Sequence, residues 1–249
     1  METRLIVTGI ILVVLLEGFL VHLFLLYRKG KITENPLLLI YKKEMMILFY
    51  AFFKWKIPSR NSETFYYHKK SNYFWLYLAL VHEQVIEMIV FHIYLKKEAP
   101  EIALVMLLLH IYSVFYIMGD YNLLRNTPIL LKKNAVHIQI GARRRLSFSL
   151  NEIETIQPAK LKYNNSGGII HERGVFHATA FPRALTRIFG MSDEAKYEIV
   201  FKEPLIARGY FGQEKEVQKV LFYIDQPDEF ADLIKEKLDH INDDRLVTV

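Results

Sequence analysis

Residues 102–140 read IALVMLLLHIYSVFYIMGDYNLLRNTPILLKKNAVHIQI, and the hydrophobic period changes inside them. Residues 102–118 are apolar apart from His110, Tyr112, Ser113 and Tyr116, long enough for a bilayer-crossing helix. After Thr127 the pattern becomes Ile129, Leu131, Val136, Ile138 and Ile140 alternating with polar residues, which is the period of half-buried strands. One chain therefore passes from membrane chemistry to a β domain within about ten residues, by this change of period.

Two further apolar stretches lie upstream. Residues 5–27 are interrupted only by Glu17 and His22, and 23 residues at about 1.5 Å each reach roughly 34 Å, enough for a hydrocarbon core of about 30 Å. Residues 73–95 form the second stretch, and the short link 96–101, with Pro100, makes it an antiparallel hairpin with residues 102–118. The 249-residue chain is 52% hydrophobic with 24% charged residues, a combination that requires the two kinds to be segregated. It has no cysteine, which excludes disulfides, thiolate metal sites and thiol nucleophiles.

Between the first and second stretches, residues 28–72 carry Arg28, Lys29, Lys31, Lys42, Lys43, Lys54, Lys56, Arg60, Lys69 and Lys70 against Glu34, Glu44 and Glu63. The positive-inside rule puts this loop in the cytoplasm, so the amino terminus and the 96–101 turn face outward and everything after Asp120 faces inward. Residues 37–55 are apolar at both ends but hold Lys42, Lys43 and Glu44 in the middle, each costing about 2.5–3.5 kcal/mol at a bilayer centre. They read as an interfacial or re-entrant helix, with a fourth span as the alternative.

Downstream, Leu146, Phe148 and Leu150 extend the alternation, Lys133-Asn134 and Gly141 mark turns, and further strands are expected at 174–181, 197–202, 205–210 and 217–224. Glu203-Pro204 and Phe211-Gly212 read as breaks. Asp225-Gln226-Pro227-Asp228 followed by Phe230, Leu233, Ile234 and Leu238 predicts a closing amphipathic helix. The expected organisation is a transmembrane region 1–120, a connector 121–126, a cytoplasmic domain 127–241 of six or seven antiparallel strands and a helix, and a tail 242–249.

The residues Pro128-Ile129-Leu130-Leu131, His137-Ile138-Gln139-Ile140-Gly141-Ala142-Arg143 and Leu150-Asn151-Glu152-Ile153-Glu154-Thr155-Ile156 resemble the opening of bacterial pleckstrin-homology-like domains. The resemblance covers roughly residues 128–240 and implies a mainly β barrel with a C-terminal α-helix. The wider chain is similar to bacterial multipass membrane proteins, on residues 110–128 with Glu203-Pro204 and Asp225-Gln226-Pro227. That similarity implies a plasma-membrane location and carries no activity with it.

Two sets of residues carry candidate chemistry. Glu17 and His22 in the first stretch are echoed by Glu87 and His92 in the second, which adds His82 and Glu83, while the third adds His110. Carboxylate with imidazole suits a divalent metal such as Zn, Mn or Fe, with Glu17, Glu87, His92 and His110 as candidate ligands, or a proton relay. Glu87 and His92 lie about 140° apart around a helix, so several helices would have to contribute. The competing expectation is that these groups hydrogen-bond between helices.

The second set, Arg143, Arg144 and Arg145 with Arg183 and Arg187, could meet anionic lipid headgroups. The segment 181–190 reads as a short helix, and residues 162–173 as a hairpin whose Gly167-Gly168 lacks phosphate-loop spacing. Nucleic acid is a poor candidate partner, because residues 121–249 hold 19 Lys or Arg against 17 Asp or Glu without a basic stripe.

Two function classes follow. One is a noncatalytic membrane-anchored binding or scaffolding protein whose cytoplasmic domain meets lipid headgroups, a protein partner or a second copy. The other is an integral membrane metal-dependent enzyme or proton- or ion-handling element, which with so few spans would need a homo-oligomer or another membrane protein.

Overall fold

The computed structural model describes residues 2–56, 63–163, 169–170, 172–182, 185 and 193–247, with the side chains of 2–10, 12, 13 and 241–247 left aside. The described residues form a helical region followed by a curled, mixed β-sheet shaped as a half-barrel.

The helices are α1 (Glu2–Arg28), α2 (Pro36–Phe52), α3 (Tyr73–Glu98) and α4 (Pro100–Arg125). Both α3 and α4 are long and apolar enough to cross a membrane. Their outer faces, like that of α1, expose large apolar side chains such as Leu15, Val90, Ile93, Leu104 and Leu108. The Asn35 side chain accepts from the amides of Leu37 and Leu38 and Pro36 occupies the first turn, which together start α2.

The hairpin link is shorter than the six residues expected. Only Ala99 separates α3 from α4, since Pro100 is preset for a first helical position and has no N–H to lose there. Residues 121–125, expected as connector, continue α4. They are helical because this last turn is seated in the β core rather than in solvent.

The sheet contains β1 (Thr64–Phe65), β2 (Ile129–Leu131), β3 (Ala135–Ile140), β4 (Arg144–Ser149), β5 (Ile153–Pro158), β6 (Val175–Ala178), β7 (Tyr197–Arg208) and β8 (Glu214–Phe222). Its order is β1-β2-β3-β4-β7-β8-β6, with β5 also on β7. The sheet curls because β4 meets β7 only at Arg145 and Arg208, after which a 3-10 turn at Leu150–Glu152 swings the chain so that β5 takes the other end of β7. Ser149 and Glu152 form a capping box that holds this corner.

Three strand expectations change. The sheet is not wholly antiparallel: β6 runs parallel to β8. Glu203-Pro204 is not a break, because a register shift between Val200 and Leu205 lets β7 carry the proline inside one 12-residue strand. β1 was not foreseen as a strand and comes from the loop between α2 and α3, pairing with β2.

The closing helix α5 (Pro227–Val247) runs through the expected tail, with Asp228 and Glu229 favourably placed in its first turn. One core, including Ile138, Phe148, Phe201, Val220, Phe222 and Phe230, fills the half-barrel. Tyr73 of α3 and Tyr121 and Leu124 of α4 belong to the same core. A smaller cluster of Ile47, Leu123 and Ala142 joins α2, α4 and the β3–β4 turn. Helices and sheet thus share buried side chains.

Candidate functional site

The three consecutive arginines part company at the β3–β4 turn. Arg143 turns inward, where Nη2 donates to Asp120 Oδ2 and to the Tyr73 hydroxyl, and Nη1 donates to the Ala180 carbonyl at 2.6 Å. The Tyr73 hydroxyl also donates to Asp120 Oδ2 at 2.9 Å, so one guanidinium ties the start of α3 and the end of α4 to the sheet. Arg143 is therefore a structural clasp and not exposed for headgroup contact, because a buried carboxylate outcompetes water for it.

Arg144 and Arg145 line the groove between α2 and the β3–β4 and β7–β8 turns. Arg145 pairs with Glu34 at 3.0 Å, and its cross-strand neighbour Arg208 pairs with Glu214 at 3.0 Å. Two arginines opposite each other would repel, and these carboxylates offset that. The Arg144 guanidinium lies over the Phe176 ring at 5.6 Å. Arg183 and Arg187, with most of the 181–190 helix and the tip of the 162–173 hairpin, lie outside the described residues.

Two volumes share Arg144 and Gly209 in their walls. One of about 220 Å³ is lined by Leu39, Lys43 and Met46 of α2, the β3–β4 turn with Arg144 and Arg145, and Gly209 and Gly212. The other, about 350 Å³, has Arg144, Phe176, Arg208, Gly209, Lys215 and Val217 among its walls. Gly212 adopts φ +78°, and a Cβ there would stand 3.0 Å from Ile32 Cγ2 and 3.1 Å from Leu39 Cδ2, so the β7–β8 turn closes tightly on α2.

Lys43 reaches into this groove from α2. It donates to the carbonyls of Tyr210 and Gly209 and lies 4.4 Å from the Tyr210 ring centroid. Burial lowers its pKa to about 8, Arg145 adding to the fall and Glu34 opposing it. The next residue, Glu44, accepts from the hydroxyls of Tyr112 at 2.6 Å and Tyr210 at 3.2 Å. Two of the three charges that made α2 a poor span, Lys43 and Glu44, are thus held by the β7–β8 turn and by α4, while Lys42 is exposed.

The seven polar residues of the apolar stretches are not brought together. Glu17 and His22 are exposed on α1, and His82 and Glu83 are exposed on α3. Half-buried His92 leaves Nδ1 without a hydrogen-bond partner. Only Glu87 and His110 meet: His110 Nε2 lies 3.7 Å from Glu87 Oε2, while Nδ1 donates to the Met106 carbonyl at 2.7 Å. Gln84 donates to the same Glu87 oxygen at 3.1 Å.

Among the described residues no three His, Asp or Glu side chains gather as a metal would need. Two donors fall short of the three or four protein ligands that zinc takes, so no metal-dependent step is derived.

Sequence reasoning missed Lys43 as a groove residue and missed Asp120, Tyr73 and Arg208 altogether. The one available signal was Lys43 itself, a charge in mid-helix that needs a reason. Compared with protein-family models, with curated proteins and with solved structures, the chain matches none.

Proposed function

We propose that the chain is a membrane-anchored binding protein. In this reading α1, α3 and α4 cross the bilayer, α2 lies at its cytoplasmic surface, and the β domain, which resembles pleckstrin-homology-like domains in the residues of its opening strands, sits beneath at headgroup depth. The observation that carries it is the basic groove formed where α2 meets the β3–β4 and β7–β8 turns, lined by Lys43, Arg144, Arg145 and Arg208. Basic residues near an anionic leaflet contribute about 1 kcal/mol each, and a sheet locked to the helices spends no orientational freedom on reaching that leaflet.

The position of the groove supports the same function. Phe211, at the tip of the β7–β8 turn, meets Phe19 of apolar α1 edge-on at a centroid distance of 5.2 Å, and Ile32 bridges to Gln213. The test is hydrogen–deuterium exchange on the full-length protein in nanodiscs of phosphatidylcholine with and without phosphatidylglycerol. Anionic lipid should slow exchange in α2 and in residues 208–214; identical protection in the two lipids would reject a headgroup-binding role.

A further inference from the structure

We propose that the groove between α2 and the β3–β4 and β7–β8 turns holds the phosphate of an anionic phospholipid, with Lys43 and Arg144 as its direct ligands. This rests on the headgroup-depth reading above and narrows it to one class of ligand and two side chains.

The charge balance of the walls selects an anion. Lys43, Arg144, Arg145, Arg208 and Lys215 line the two volumes, against Glu214 as the carboxylate. Glu214 is engaged by Arg208, and Glu34 at the rim engages Arg145. The hydrogen-bond acceptors of Lys43 are two neutral carbonyls, which a phosphate oxygen can replace or supplement. Arg144 is common to both volumes, with its guanidinium over the Phe176 ring, and guanidinium is the side-chain cation best matched to phosphate oxygens.

The walls also select a lipid over free phosphate. Leu39 and Met46 flank the smaller volume, and Val175, Phe176, Ala207 and Val217 flank the larger. A free inorganic phosphate would leave this apolar lining wet, whereas a glycerol backbone and the first methylenes of an acyl chain would cover it.

The experiment is native mass spectrometry of the full-length protein released from detergent and titrated with dioctanoyl phosphatidylglycerol, dioctanoyl phosphatidylcholine or inorganic phosphate. Phosphatidylglycerol should bind saturably and at least tenfold tighter than either comparison. Lys43→Gln and Arg144→Gln should each weaken it about tenfold, Arg144→Lys should recover part of the loss, and Arg173→Gln, which removes an exposed charge outside the groove, should change nothing.

Equal weakening by Arg173→Gln, no preference over phosphatidylcholine, or equally tight inorganic phosphate would each overturn the proposal. If either groove variant fails to fold, competition by unlabelled phosphatidylglycerol against a photoreactive analogue on the wild type decides, since crosslinks outside α2, 139–145, 175–176 and 207–217 also reject it. The nanodisc exchange experiment separates the two levels. Anionic protection that persists in Lys43→Gln and Arg144→Gln leaves surface binding standing and removes the groove, whereas no protection in the wild type removes both.

Discussion

Gly119 of α4 packs directly on the Ile47 carbonyl of α2, so closely that any Cβ at position 119 would overlap that oxygen and crowd Ile47 Cγ2. The contact sets the separation of two helices that run side by side, with Asn122 donating to the Tyr50 carbonyl and Asn126 to the Lys54 carbonyl further along. Backbone cannot yield as a flexible side chain can. Gly119→Ala should therefore destabilise by about 1–3 kcal/mol despite the better helix propensity of alanine. Gly18→Ala, which meets nothing within 4 Å on α1, is the control and should be neutral or mildly stabilising. Equal thermal midpoints for wild type and Gly119→Ala in detergent would refute the close approach.

Asp120 and Arg143 make the tie between helices and sheet, and a buried pair is most costly when only one partner is removed. Asp120→Leu or Arg143→Met alone should cost about 3–5 kcal/mol, because each strands a buried charge. The double variant Asp120→Leu with Arg143→Met should recover most of that loss. Chemical unfolding of the four proteins gives the coupling directly, and a double variant as unstable as the sum of the singles would show that the two groups act independently.

Much of this architecture is local enough to be legible in residue order. The α3–α4 hairpin follows from two apolar runs and Pro100, the β2–β3 turn from Lys133-Asn134, and the start of α5 from Pro227 and Asp228. What escaped depends on partners far away in the chain. Thr64 and Phe65 become a strand only because Leu130 and Ile129 lie beside them, and Pro204 stays in β7 only because a bulge absorbs it. In the candidate site, three identical residues, Arg143 to Arg145, have three different fates. These are set by Asp120, Phe176 and Glu34, none of which any local spacing reveals. The Glu and His residues of the apolar stretches were visible, but which of them meet depends on helix rotation and on which helices touch.

His68 lies on the strap between β1 and α3 and is 5% exposed, with Nδ1 unpartnered. Burial lowers its pKa to about 4, against the raising influence of Asp225 and with Arg125 and Lys69 reinforcing the fall. The unfolded chain takes up a proton near pH 6.5 and the folded chain only near 4, so between these values the unfolded state binds more protons and stability falls as the pH falls. The full effect, below pH 4, is about 3 kcal/mol at 1.36 kcal/mol per pH unit. Unfolding of wild type and His68→Asn between pH 4 and 7.5 should show the wild type losing this increment and the variant lacking it; parallel profiles would argue against a neutral buried His68.

The absence of cysteine makes the membrane orientation directly measurable. Single substitutions Lys97→Cys, near the α3–α4 link, and Lys215→Cys, on β8, should behave oppositely toward an impermeant maleimide applied to intact cells. Lys97→Cys should label at once and Lys215→Cys only after the membrane is opened, as expected for a cytoplasmic β domain. Labelling of Lys215→Cys in intact cells would invert the orientation and with it the leaflet that the basic groove faces.

Lys43 gives the groove a pH signature. Because burial and the neighbouring Arg145 hold its pKa near 8, the ammonium is present below that value and lost above it. Affinity for an anionic headgroup should therefore be steady from pH 6 to 7 and decline through pH 8–9, the bound anion moving the midpoint upward by favouring the charged form. Glu34→Gln removes a raising influence and should shift the decline to lower pH, while Arg145→Gln removes a lowering one and should shift it higher. Lys43→Gln should bind weakly with a flat profile over the same range. A wild-type profile as flat as that of Lys43→Gln would mean that this ammonium does not touch the ligand, since phosphodiester and guanidinium keep their charge across the whole range.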